Sequence, residues 1–347
     1  MPSPELSAAI NQFGEPRGYL AVASIGIPPR SAVDALTADL TAWAAGFRDP
    51  EGYDAVVERS RASFGQLVNV PIDRIAQGSQ TSVLASIVAA AVPVGAEVLC
   101  IDGDFSSIMF PFLQRPDIRV RTVPLEALAD SITDDTWLVN FSLVQSRSGI
   151  VSDENAILEA AARHNAYTMC DFTQAAGVIP VDASRYDVTI THTYKWLCAP
   201  RGVAFLTLSE RFDPLMTPLQ AGWYAGDDVW RSTYGPAMAL ATTARRFDVS
   251  PAWQAWIGAE QSLALFAGLD IAEVWQHASA LGDALCDAVG IPQQHQAIVT
   301  WADPDGENIA RLMAAGVRIS GRAGRLRASF HLWNDLSDVE QIVRTLR

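Results

Sequence analysis

The chain has 347 residues, 49% of them apolar and 18% charged, with a formal net charge of −14. That length and apolarity allow one large packed core with a smaller unit attached, and they exclude a disordered chain. The acidity argues against a general nucleic-acid binder, which needs a basic face to displace counterions, and it suits an anionic membrane surface poorly.

From the N-terminus, residues 1–20 show no basic region followed by an apolar one, so no secretory signal is expected. Residues 31–47 read as an amphipathic helix with Val33, Leu36, Leu40, Trp43 and Phe47 on one stripe, and 54–67 as a second helix. Short apolar runs then alternate with helical stretches. Strands are expected at 98–101, 120–123, 137–141, 167–170, 188–190 and 203–208, and helices at 79–91, 106–113, 125–132 and 153–164. The most apolar stretch, 83–96, contains Pro93 and Gly95 and is too short to cross a bilayer. After about Thr243 the texture changes: 251–289 is largely helical with a break at Gly268, and shorter elements follow, including 324–332.

This order implies an α/β protein. A large three-layer α/β/α domain on a mostly parallel sheet is expected over 21–243, and a smaller α+β domain over 244–347 with the arm 1–20. Ligands of such sheets sit at the carboxyl ends of the strands. The four cysteines, Cys100, Cys170, Cys198 and Cys286, form no CxxC spacing, so neither a zinc knuckle nor a disulfide framework is expected, and a reducing cytoplasm fits best.

Among the 25 basic residues only Lys195 is a lysine. Arginine can replace lysine wherever charge alone is needed, but not where a neutral, nucleophilic amine is required. Lysine chemistry in this chain therefore has one address. Lys195 follows one apolar strand and Asp171 ends another, so both should open into the same crevice. Alone, Asp171 reads as a turn cap and Lys195 as a surface charge. Together they suit pyridoxal 5′-phosphate (PLP): the amine forms an imine and the carboxylate keeps the pyridine nitrogen protonated.

The run Asp171-Phe172-Thr173-Gln174-Ala175-Ala176-Gly177, then Lys195, then Pro200-Arg201-Gly202, resembles the class V aminotransferase family, PLP enzymes of fold type I that include cysteine desulfurases and kynureninase. The resemblance runs from about Tyr19 to the end. It implies that Asp171 pairs with the pyridinium, that Gln174 reaches the phenolic oxygen, and that Lys195 is the Schiff-base lysine and later the base that moves the α-proton. Gln77-Gly78-Ser79-Gln80-Thr81 stands where the family opens a helix onto the phosphate, which implicates Ser79 and Gln80; an ordinary Ser N-cap is the alternative. His192 and Tyr194 flank the lysine at positions used for phosphate contacts. Phe105 occupies the place of the ring that stacks on the cofactor, or else it is plain core. Gln145 falls where the family often has Asn against the phenolic oxygen.

Near the end, Arg327-Ala328-Ser329 and Asn334 resemble the family's R-x-S-x-x-x-x-N segment, which implies a substrate-carboxylate clamp at Arg327. Arg322 and Arg325 read as surface charges. Residues 316–326 hold no cysteine, which argues against a cysteine desulfurase, and Cys198 reads as a small buried residue. The expectation is a PLP enzyme acting on a small amino acid, an aminotransferase first, with C–S or C–C lyase or epimerase chemistry as alternatives. The family implies a homodimer with the site at its interface, where 220–223 or 247–253 would reach the partner's phosphate. A catalytically inactive binding protein is the competing class. A nicotinamide enzyme fails because no G-x-G-x-x-G opens the first strand–helix turn.

Overall fold

The computed structural model describes residues 2–322 and 324–347, with the side chain of Arg322 left aside, so that surface-charge expectation lies outside the described residues. Ten strands are described: β1 (Ile75–Gly78), β2 (Glu97–Ile101), β3 (Arg119–Val123), β4 (Thr136–Ser142), β5 (Tyr167–Asp171), β6 (Val188–His192), β7 (Ala204–Leu208), β8 (Ile298–Ala302), β9 (Ser320–Arg322) and β10 (Arg325–Ser329). The helices are α1 (Pro4–Ile10), α2 (Arg30–Ala44), α3 (Asp54–Val68), α4 (Thr81–Ala91), α5 (Ser106–Leu113), α6 (Glu154–Arg163), α7 (Trp253–Ala267), α8 (Ile271–Val289), α9 (Glu307–Ala314) and α10 (Leu336–Leu346).

Seven strands form one sheet in the order β1-β7-β6-β5-β4-β2-β3, and β8, β10 and β9 form a second, antiparallel one. Only β7 opposes its neighbours in the large sheet. Six strands therefore end at one edge, where Gly78 and His192 both pair with Ala204. Side chains alternate between two cores. Val98, Cys100 and Leu138 join Leu84, Val88, Ile108 and Phe112 on one face. Leu99, Ile101, Val139 and Phe141 join Phe64, Ile157 and Leu263 on the other. Burial on both faces is why these strands read as continuous apolar runs.

The six strands expected in the large sheet are present. The four-residue β1 was not anticipated, since IAQG carries no alternation. The helix expected at 125–132 is instead two single turns, Leu125–Ala127 and Ala129–Ser131, with only Leu128 and Ile132 buried among its apolar residues. The first amphipathic helix stops at Ala44, before Gly46 at φ +77°. Of its stripe only Leu36 packs against the core; Val33, Leu40, Trp43 and Phe47 are exposed. The N-terminal segment after Tyr19 runs beside the small sheet through bridges Tyr19↔Arg318 and Ala21↔Ser329, then continues to the sheet edge. Among the described residues no helix is long and apolar enough to cross a membrane.

Candidate active site

β5 ends in Asp171, which is buried, and its Oδ1 accepts the Thr173 backbone N–H at 2.8 Å. Burial pushes its carboxyl up to about 6, against the Thr173 hydrogen bonds and the nearby Lys195 charge. The Thr173 hydroxyl in turn accepts the His192 backbone N–H at 3.0 Å, which ties the loop after β5 to the end of β6. Gly177 closes that loop at φ +94°, where a Cβ would press on Leu197 and the Trp196 carbonyl, so the motif glycine is required twice over.

Lys195 follows β6 on a turn held by Thr193, whose N–H and hydroxyl both donate to the Val203 carbonyl, at 3.1 and 2.8 Å. The lysine is 5% exposed. Its Nζ lies 5.3 Å from the centre of the Phe105 ring and 5.7 Å from that of Tyr194. Phe105 precedes α5 and is half-buried, so its ring borders the space in front of the amine. His192 is buried and packs edge-on to Tyr194, with 4.4 Å between ring centres. Its Nε2 is buried without a hydrogen-bond partner, and burial, with Arg201 and Lys195 nearby, pulls its pKa down to about 3. His192 is thus a neutral imidazole with an unused polar atom. Burial raises the Tyr194 phenol, while the Arg201 guanidinium, 5.0 Å from the ring centre, opposes that rise.

Gln174 is buried with both ends of its amide engaged: Nε2 donates to the Ala23 carbonyl at 3.0 Å, and Oε1 accepts from the Trp196 indole at 2.8 Å. Gln145 turns its Nε2 inward, toward Asp104 Oδ2 and the Ser142 carbonyl, each at 3.3 Å. Ser79 is half-buried and Gln80 exposed between β1 and α4. The N-cap of α4 is Gln80, without a side-chain cap bond, so Ser79 is not the ordinary cap that the alternative required.

Arg327, on β10, is buried and reaches this edge from the small sheet. Its Nε donates to Ser320 Oγ at 3.0 Å, Nη1 to the Ser146 carbonyl, and Nη2 to Ser24 Oγ at 2.8 Å. Arg325 lies on the outside, donating to Thr300. Cys198 is buried, as expected, with its thiol held well above the usual range by burial.

Several site residues were not anticipated. Asp104 is buried and accepts from the Phe105 N–H and the Ser142 hydroxyl, each at 2.7 Å, and from the Ser142 N–H at 2.9 Å, locking β4 to the loop that carries Phe105. The segment Ala23–Gly26 lies against the lysine turn, with the Gly26 N–H donating to the Tyr194 carbonyl at 2.8 Å. His331, fully buried, bonds through Nε2 to the Trp196 carbonyl at 2.8 Å. Asp104 adjoins Phe105 in sequence and was open to detection; 23–26 carries no local signal.

Comparison with known proteins agrees with this geometry. Residues 115–305, more than half of the chain, match the family model Aminotransferase class-V. The chain is similar to an uncharacterized aminotransferase, YcbU, of Bacillus subtilis (26% identity over 65% of this chain) and to kynureninase of Deinococcus radiodurans (28% over 70%). The matched region spans 62% of the length of each of these relatives. Among solved structures, a C-DES mutant with glycine covalently linked to its PLP cofactor superposes with a TM-score of 0.86 at 19% identity, covering 100% of this chain and 99% of the other, which shows the fold. Cysteine desulfurases also stand among the matched relatives and structures. The mostly parallel sheet, the motif from Asp171 to Gly202 and the family match converge: the chain belongs to the class V aminotransferase family.

Proposed function

We propose that this chain is a PLP-dependent enzyme acting on a small amino acid, in the first place as an aminotransferase. The observation that carries the reading is Lys195: the chain's single lysine, buried at the carboxyl edge of the sheet, beside the Phe105 ring and near a buried carboxylate. The residues fit the cofactor. Asp171 is a buried acid close to the Lys195 charge at the same strand edge, and His192 has a buried ring nitrogen without a hydrogen-bond partner.

PLP, when bound, supplies an electron sink for the bonds at the substrate α-carbon. The chain does the rest. Lys195 holds the cofactor through its amine and, once released, takes and returns the α-proton. Asp171 keeps the ring nitrogen protonated. Phe105 fixes the ring plane. Gln174, its amide locked by Ala23 and Trp196, offers its second N–H to the phenolic oxygen. The start of α4 with Ser79 and Gln80, together with His192 and Tyr194, receives the phosphate. Gln145 supports Asp104 and lines the same edge. Arg327 receives the substrate carboxylate.

The exposed stripe of α2 fits burial against a second copy of the chain. Both candidate partner segments carry exposed residues, Gln220 and Gly222 in 220–223 and Ser250 and Ala252 in 247–253, so either can reach the partner's phosphate. Such an enzyme fits the cytoplasm.

A lyase is the second reading, favoured by the likeness to kynureninase. Desulfurase activity is not proposed, because residues 316–326 lack a cysteine and all four cysteines are buried. A panel of amino acids added to the PLP-loaded protein tests the reading. A spectral change that a keto acid reverses identifies an aminotransferase. Release of a fragment of the substrate side chain identifies a lyase. A protein that takes up no PLP overturns both.

A further inference from the structure

Arg327 is a buried guanidinium that donates, among its contacts, to oxygens from three segments of the chain, and these oxygens are not equivalent. Ser320 Oγ accepts from Nε at 3.0 Å while donating its own proton to the Arg327 carbonyl at 3.2 Å. Its hydrogen-bonding capacity is turned back onto β10. The Ser146 oxygen is a backbone carbonyl, which accepts only and would repel a carboxylate beside it. Ser24 Oγ accepts from Nη2 at 2.8 Å, and a hydroxyl that accepts from a guanidinium still has an O–H to give. That O–H is strengthened as a donor by the charge behind it. Of the three, Ser24 alone adds a donor to the arginine.

The backbone holds Ser24 in place. The Ala23 N–H donates to Ser329 Oγ at 3.0 Å, the Ser24 N–H to the Ala21 carbonyl at 2.8 Å, and the Gly26 N–H to the Tyr194 carbonyl at 2.8 Å. Ser24 is half-buried, and the next residue, Ile25, is 53% exposed. The small sheet, through Arg327, and the N-terminal segment, through Ser24, thus present one composite surface of guanidinium and hydroxyl donors.

We propose that Ser24 is a specificity-determining residue that recognises the substrate carboxylate together with Arg327, one carboxylate oxygen accepting from the guanidinium and the other from the Ser24 O–H. The proposal rests on the PLP reading above. Selection is then for a free carboxylate rather than for an amine or an amide, because only a carboxylate offers acceptors to both groups without bringing a donor against the guanidinium.

The test uses the PLP-loaded protein, with loading confirmed by its visible absorption, and isothermal titration with L-alanine and with L-alaninamide. Ser24→Ala is expected to weaken L-alanine binding about tenfold and to leave L-alaninamide binding unchanged, the scale of one charge-assisted hydrogen bond. Ser24→Thr, which keeps the hydroxyl, is expected to restore most of the affinity. Equal weakening for both probes would show a packing role and overturn the proposal. So would unchanged L-alanine binding in Ser24→Ala, or a loaded wild type that does not distinguish the two probes. A wild type that takes up no PLP overturns the cofactor reading itself, and with it this role; the absorption spectrum separates that failure from the others.

Discussion

Gly26 and Lys195 are packed so closely that a Cβ on Gly26 would overlap the Lys195 carbonyl oxygen, with the Cα and sulfur of Cys198 each 3.0 Å away. Both obstacles are part of the lysine turn, and its backbone has no flexible end to yield. Gly26→Ala is therefore expected to displace either the 23–26 segment or the turn. Overpacking of this kind costs about 1–3 kcal/mol. Denaturant unfolding of the cofactor-free variant checks the cost, and PLP titration checks the turn. Unchanged stability with unchanged PLP affinity would mean that the contact is not as tight as the structure places it.

Asp171 sets a pH dependence whose sign is opposite to that of an ordinary salt-bridged carboxylate. Its carboxyl is raised from 3.8 to about 6 by burial, so the folded, cofactor-free chain binds a proton that the unfolded chain has lost. Stability associated with this group is full below pH 3.8 and declines as pH rises through 6, by at most about 3 kcal/mol. Asp171→Asn keeps the acceptor for Thr173 and removes the charge. It is expected to raise the Tm of the cofactor-free chain by several degrees at pH 7.5 relative to wild type, with the gap closing below pH 4. The same variant is expected to lose most activity when loaded. A gap that does not change with pH would contradict the burial argument.

His331 works in the other direction. It is fully buried, stacks flat on Phe266 with 5.5 Å between ring centres, and is pulled down to about 3 by burial. The unfolded chain takes up a proton near 6.5 that the folded chain refuses, so stability present above that pH is lost as pH falls toward 3, with a limiting slope of about 1.4 kcal/mol per pH unit. His331→Gln can still donate to the Trp196 carbonyl. It is expected to be somewhat less stable at pH 7 but to lose stability less steeply between pH 6 and 4. Urea midpoints across that range measure the slope; parallel curves for variant and wild type would contradict it.

The Arg61–Asp248 pair is 2.6 Å long, with both side chains at 1% exposure or less, and Asp248 Oδ1 also accepts the Gln77 N–H at 2.8 Å. Removing Asp248 leaves the buried Arg61 with only the part-exposed Glu58, at 3.3 Å, as counter-charge, and breaking such a buried pair costs about 3–5 kcal/mol. Asp248→Ala is expected to destabilise the chain on that scale. It is also expected to weaken PLP binding, since Gln77 precedes the Gly78-Ser79-Gln80 turn. Replacing both partners by apolar residues should recover much of the stability. A double variant as unstable as the single one would argue against the pair as the cause.

The fold was legible because both faces of the large sheet are buried, which writes its strands as apolar runs between helices. β1 escaped because four residues with a Gln and a Gly carry no period. The α2 stripe was legible as a pattern but not as to which way it faces, since periodicity marks an apolar face without saying whether the chain itself covers it. The candidate site was legible where chemistry demands a residue type: a lysine among arginines and a carboxylate at a strand end, which the structure brings to one edge of the sheet. Ser24, Gly26 and His331 were not, because their roles come from contacts more than 130 residues apart in sequence, and serine, glycine and histidine at such positions have many ordinary uses.

The central claim is that Lys195 carries the cofactor, and borohydride reduction of the PLP-treated protein followed by peptide mass mapping tests it most directly. The account predicts one pyridoxyl-modified peptide, containing Lys195, from a yellow protein that borohydride bleaches, and no such peptide or colour from Lys195→Ala. A colourless wild type, or equal labelling of the Lys195→Ala variant, would contradict it.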